Sequence, residues 1–246
     1  MRTPPASLYR VAAAFFLLAL TATAARPQGA AAPAPANGAA FKSLAEKMVE
    51  EINLVRTDPG AYAAHLERLR PHYAGKELRE PGKPALLTEE GVAALEEAVR
   101  FLRGAAPVAP LSVSKGLSSG ALLLVSEQTT SGATGHRGSD GSFIEQRAAR
   151  FGSWKGPIGE NLSYGEDTAR DRVIAMLIDD GVANRGHRKR LLDASYTVVG
   201  VACSGHTLGG VCAVTLAAGF TEGANATASP RPAGGQAPLP SGGRKF

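Results

Sequence analysis

The chain has 246 residues, with 27 Lys and Arg against 22 Asp and Glu, a formal charge of +5, and 6% aromatic residues. The basic excess is mild and is not interleaved with aromatics along any stripe, which excludes a nucleic-acid-binding surface as the reading of the charge. Two cysteines, Cys203 and Cys212, are too few for a disulfide scaffold.

The N-terminal stretch MRTPPASLYR carries Arg2 and Arg10 and no acid, and VAAAFFLLAL follows as a short apolar run. A charged start, an apolar core too short to span a bilayer and the small-x-small triplet Ala22-Thr23-Ala24 together read as a signal peptide over residues 1–24. Its removal would leave 25 basic and 22 acidic residues, a net +3. The expected compartment is extracellular or periplasmic, with no transmembrane span in the mature chain. Residues 25–40, rich in Ala and Pro, read as a linker, and residues 223–246 read as a disordered tail, because neither has enough large apolar side chains to offset ordering. Residues 41–222 remain as one domain with a core of its own.

Within that domain Phe41, Leu44, Met48, Ile52 and Val55 recur at three- and four-residue steps, an amphipathic helix that stops at Asp58-Pro59. A second helix is expected over residues 61–69. Thr88 can cap a third, which carries Val92, Leu95, Val99 and Leu102 on one face and ends before Gly104. A fourth spans residues 115–129, with Leu117, Ala121, Leu124 and Val125 as its stripe. A shorter fifth is expected at 143–151 and a sixth at 167–178. Strand character concentrates at the end: Val199, Val201 and Cys203 alternate, as do Cys212, Val214 and Leu216. Folded as an antiparallel hairpin over GHTLGG, these segments set Cys203 opposite Cys212, Val201 opposite Val214 and Val199 opposite Leu216. Opposed cysteines in an oxidising compartment form a disulfide. Helices early and strands late, with one sheet covered by helices and a C-terminal β-hairpin, point to an α+β chain or a three-layer sandwich.

Five histidines remain to be placed. His65 and His72 read as solvated surface side chains and His206 as an exposed residue of the hairpin turn. His136 and His187 differ: each stands in a Gly-His-Arg tripeptide, in a loop beside an expected helix. Between them lies GPIGENLSYGED, also read as a loop, with Glu160 between Gly159 and Asn161. A carboxylate near two imidazoles can fix their tautomers, raise their pKa or join them around a divalent cation. The basic run Arg185, Arg188, Lys189 and Arg190 reads as a solvated helix end.

The ordered set ATGHRGSDG, IGENLSYG, LIDDGVANRGHRKRLLD and YTVVGVAC resembles the CAP superfamily. These are the SCP-domain relatives of cysteine-rich secretory proteins, antigen-5 and plant pathogenesis-related proteins, and the likeness is greater to the secreted bacterial-type branch. The resemblance implies an α+β fold, a three-layer α-β-α sandwich, with an open cleft that carries two histidines and two acids and a divalent metal, zinc above all, held by the imidazoles. Matched motif by motif, the cleft residues are His136, Glu160, Asp180 and His187, with Asp179 as the alternative to Asp180; His136 and His187 are the metal ligands. The second acid is Asp where the family has Glu, and the tryptophan common in that helix is absent, Trp154 falling instead in an expected loop. The implied function is a secreted, non-enzymatic binding module for lipid, sterol or cell-envelope components. The rival expectation is a hydrolase, metal-dependent or acid-base, in which Glu160 serves as general base.

Overall fold

The computed structural model describes residues 38–165 and 168–226; the expected signal peptide, all but the end of the linker and all but the start of the tail lie outside them. Helix α1 (Gly38–Thr57) buries Met48, Ile52 and Val55 on one stripe, as their spacing requires. Asp58 then accepts a hydrogen bond from Ala61 N at 2.9 Å, and Pro59 fits the first turn of α2 (Pro59–Glu67), where it has no donor to lose. Three two-residue strands follow, β1 (Tyr73–Ala74), β2 (Glu77–Leu78) and β3 (Leu86–Leu87), paired antiparallel in that order. Strands this short carry no alternation, so this small sheet is absent from the sequence reading. Helix α3 (Val92–Gly104) buries Leu95, Val99 and Leu102 as expected. Thr88 does not cap it: Gly91 holds that position, and the Thr88 hydroxyl donates to Lys76 O at 2.5 Å.

Strand β4 (Ser112–Val113) leads into α4 (Lys115–Ser131), capped by Ser114, whose hydroxyl accepts from Leu117 N, and closed by Gly132 in the left-handed region. Helix α5 (Ile144–Ala148) is shorter than expected, because Gly152 already opens strand β5 (Gly152–Tyr164). Helices α6 (Ala169–Ile178) and α7 (Gly186–Leu192) and strands β6 (Val198–His206) and β7 (Gly209–Glu222) complete the chain. Glu222, at the end of β7, accepts from the Ser114 hydroxyl and from Lys115 N and Gly116 N at 2.8–3.0 Å. A carboxylate is thereby set on the positive end of the α4 dipole.

The main sheet runs β4-β6-β7-β5, with β4 parallel to β6 and the other neighbours antiparallel. The hairpin has the expected register, Cys203 opposite Cys212, Val201 opposite Val214 and Val199 opposite Leu216, and a disulfide joins the cysteines. Those six residues share one face and pack with the buried sides of α1, α3, α6 and α7. Ala202, Val211 and Ala213 face the other way, against Ala121 and Val125 of α4. Alternation along the strands thus gives the sheet two apolar faces, each covered by helices. The fold is the α+β, three-layer sandwich with a C-terminal hairpin. On the α4 side Gly200 allows contact between backbones: a Cβ there would lie 2.2 Å from Ser118 N.

Strand β5 is the largest departure from expectation. GPIGENLSYG is not a loop but most of an edge strand paired with β7 along its length. Its register shifts between Lys155 and Ile158, where Gly156 takes φ 67° beside Pro157. Gly, Pro and this bulge mask the period-two pattern from which a strand is recognised. Trp154 accordingly lies on β5 and not in a loop.

Candidate functional site

Each of the two singled-out histidines meets an acid, but not the same acid. His136 Nδ1 lies 3.0 Å from Glu160 Oε1. Glu160, whose side chain is 2% exposed, is also gripped by Arg147 Nη2, 2.9 Å from Oε1 and 2.7 Å from Oε2. Arg147 Nη1 donates in turn to His136 O and Ser142 O, so one buried guanidinium fastens the loop before α5 to the edge strand. The loop is pinned a second time. The Tyr164 hydroxyl accepts from Gly135 N at 2.8 Å and lies 3.1 Å from Gln128 Oε1, while Gln128 Nε2 donates to Gly135 O. His206, expected to be exposed in the hairpin turn, is buried: Nε2 donates to Ala133 O and Nδ1 accepts from Leu208 N. The turn is only Thr207-Leu208, and the imidazole folds back under the loop.

His187 stands in the first turn of α7, not in a loop, with Nδ1 2.6 Å from Asp179 Oδ1. Asp179 ends α6 at φ 57°, and its second oxygen accepts from His187 N at 2.9 Å. That left-handed turn swings its carboxylate back over α7. Asp180 points elsewhere: its carboxylate accepts from Glu89 N at 2.6 Å and Glu90 N at 2.9 Å. The acid that meets His187 is therefore Asp179, although both aspartates border the same cavity. The basic run is not a solvated helix end either. Arg188 is buried, Arg185 is paired with Glu90 and Glu97, and Arg190 donates to Glu160 O and Asn161 Oδ1; Lys189 alone of the four is exposed. These pairs hold the Glu90 carboxyl down to about 2, through the Arg185 hydrogen bonds first and Gly181 N second.

Adjacent residues of β5 reach different helices. Glu160 is opposite Thr215 and turns toward α5, whereas Asn161 is opposite Val214 and turns toward α6 and α7, where its amide donates to His187 O at 3.2 Å. The two imidazoles thus belong to separate acid pairs, His136 with Glu160 and His187 with Asp179. Among the described residues no group of three or more His, Cys, Asp or Glu side chains is placed to hold a metal ion. This corrects the expected zinc site on His136 and His187: two imidazoles are fewer than the three protein ligands of a catalytic zinc, and both acids are already committed. It also corrects the hydrolase expectation, since Glu160 is locked against a buried guanidinium and no metal set stands beside it.

Sequence reasoning missed the cavity beside His187, of about 350 Å³. It is lined by Leu69, Tyr73, Leu78, Leu86, Ile174 and Met176 among its apolar side chains, and by Leu162 and Tyr164 from β5. Its far wall is the small sheet of β1 to β3, which no periodicity announced.

The family described as "CAP: Cysteine-rich secretory protein family" matches residues 96–216. A solved structure, an extracellular protein containing a SCP domain from Bacillus anthracis str. Ames, is similar at 16% identity with a TM-score of 0.36. That alignment covers 49% of this chain and 37% of the other. No curated protein matches the chain. The family match over residues 96–216, in which both Gly-His-Arg tripeptides and the GEN triplet fall, identifies the chain as carrying a CAP-superfamily domain.

Proposed function

We propose that this chain is an exported, non-enzymatic CAP-domain binding module of the bacterial-type branch, whose ligand is an apolar small molecule of the lipid or sterol class or a cell-envelope component. The observation that carries the reading is the cavity of about 350 Å³ between the small sheet, α6 and the end of β5. It lies within the range of small-molecule sites, and half of its lining is aliphatic, with charged and polar side chains among the rest. The binding residues belong to this cavity, with His187 as its polar end; His136 and Glu160 act as struts of the edge strand. Export rests on the charged, apolar and small-x-small order of residues 1–24, and the family carries this domain outside the cytoplasm.

Ala175 lines the cavity from an exposed position on α6, so Ala175→Trp fills the space without opening the core. The neutral fluorophore N-phenyl-1-naphthylamine serves as probe. Saturable binding to the native protein, lost in Ala175→Trp at an unchanged melting temperature, is expected. Binding that survives the substitution, or none in the native protein, refutes the reading.

A further inference from the structure

We infer that the ligand of this cavity is a cationic amphiphile, an aliphatic chain that ends in a protonated amine. The inference rests on the reading above and adds the chemistry of the polar end. Besides its aliphatic wall the cavity is bordered by Glu80, Lys83, Asp171, Asp179, Asp180 and His187. Lys83 is the one ammonium among them, and it is already taken, 3.1 Å from Glu80 and 3.0 Å from Asp171. No arginine lines the space. Four carboxylates therefore stand against a single ammonium, which already serves two of them. Asp179 and Asp180 are held in place by the His187 ring and by backbone donors of Glu89 and Glu90. The same negative field reaches Tyr73, whose hydroxyl pKa is raised by burial first and by Asp180 and Glu80 next.

His187 sharpens the selection. Asp179 occupies its Nδ1, so in the uncharged ring the proton sits on that nitrogen and Nε2 is the acceptor. Among the described residues Nε2 has no protein partner. An alkylammonium brings three donors and a positive charge to this end, and Nε2 with the second lone pairs of the aspartates can receive them. A hydroxyl brings one donor and no charge. A carboxylate brings no donor and meets this excess of like charge, with no arginine or free lysine in the lining to receive it.

The test is displacement of N-phenyl-1-naphthylamine by dodecylamine, dodecanol and dodecanoate at neutral pH, each below its micelle threshold. Dodecylamine is expected to bind at least about tenfold more tightly than dodecanoate, since juxtaposed like charges weaken association by this order or more. Dodecanol should fall between them, and Asp180→Asn should narrow the spread. Dodecanoate or dodecanol equal to or tighter than the amine, or a preference unchanged in Asp180→Asn, overturns the inference. If that binding is still lost in Ala175→Trp, the apolar-ligand reading stands without it. If none of the probes binds the native protein, both fall.

Discussion

Truncating Glu160 should cost far more stability than truncating His136, although the two side chains touch. Glu160→Ala removes the carboxylate that accepts Arg147 Nη2 at 2.7 and 2.9 Å, with the guanidinium 1% exposed and the carboxylate 2% exposed. Arg147 then keeps only the carbonyls of His136 and Ser142 on Nη1, and its Nε has no partner even in the native protein. Breaking one side of a buried pair leaves an uncompensated charge and costs about 3–5 kcal/mol. The His136 side chain is 46% exposed, and His136→Ala should cost under about 1 kcal/mol, the range of a solvated pair. The pair Glu160→Leu with Arg147→Met should recover most of the loss, because neither charge then needs solvent. Urea unfolding of the four proteins gives the comparison, provided the slope is unchanged between variants. A Glu160→Ala cost no greater than that of His136→Ala would refute the reasoning, as would a double variant no better than Glu160→Ala.

The pairs that Arg185 makes with Glu90 and Glu97 give a pH dependence of known sign. The folded Glu90 carboxyl lies at about 2, below its ordinary 4.5, so its contribution is present above 4.5 and is lost as pH falls toward 2. The melting-temperature gap between native protein and Arg185→Gln should thus stay level above pH 4.5 and close below it; a gap that widens in acid contradicts the assignment. At Gly200 an added Cβ meets Ser118 N at 2.2 Å and Leu117 C at 2.3 Å, whereas at Gly219 nothing lies within 4 Å. Gly200→Ala should destabilise by about 1–3 kcal/mol or more through overpacking of α4 on β6, and Gly219→Ala should not; equal urea midpoints would show that α4 can shift freely.

What could be read from the sequence was set by single chemical patterns, and what could not be read depended on several elements meeting. The stripe Met48, Ile52, Val55 and the hairpin pairing of Cys203 with Cys212 each follow from one period, and both stand. Strand β5 was hidden because Gly156, Pro157 and Gly159 erase its alternation, though pairing with β7 makes it a strand regardless. The choice between Asp179 and Asp180 turned on one backbone angle, φ 57° at Asp179, which no residue count reveals. The arginines show the same limit: four of them, Arg56, Arg147, Arg172 and Arg188, are at most 2% exposed. Arg56 alone donates to the carbonyls of Ala109, Leu191, Asp193 and Tyr196. A charged residue in a sequence reads as solvated, and only the tertiary loops that converge on it supply the acceptors that allow burial.

The GEN triplet gains its meaning from the same convergence. Strand β5 is the edge of the sheet, so its outer side has no further strand to hold it. Gly159 and Asn161 face one helical layer and Glu160 faces the other. At Gly159 a Cβ would meet Arg190 Cδ and Nε at 2.7 Å, so glycine is what admits that side chain. Arg190 crosses this gap to donate to Glu160 O and Asn161 Oδ1, and Asn161 donates onward to His187 O. On the opposite face Glu160 takes Arg147 and His136. Three consecutive residues therefore fasten α7 to one side of the edge strand and the α5 loop to the other. Period two is what lets so short a motif bind both layers. The carboxylate at its centre is spent on holding the sandwich closed, while Asp179 and His187 pair with each other at the border of the cavity.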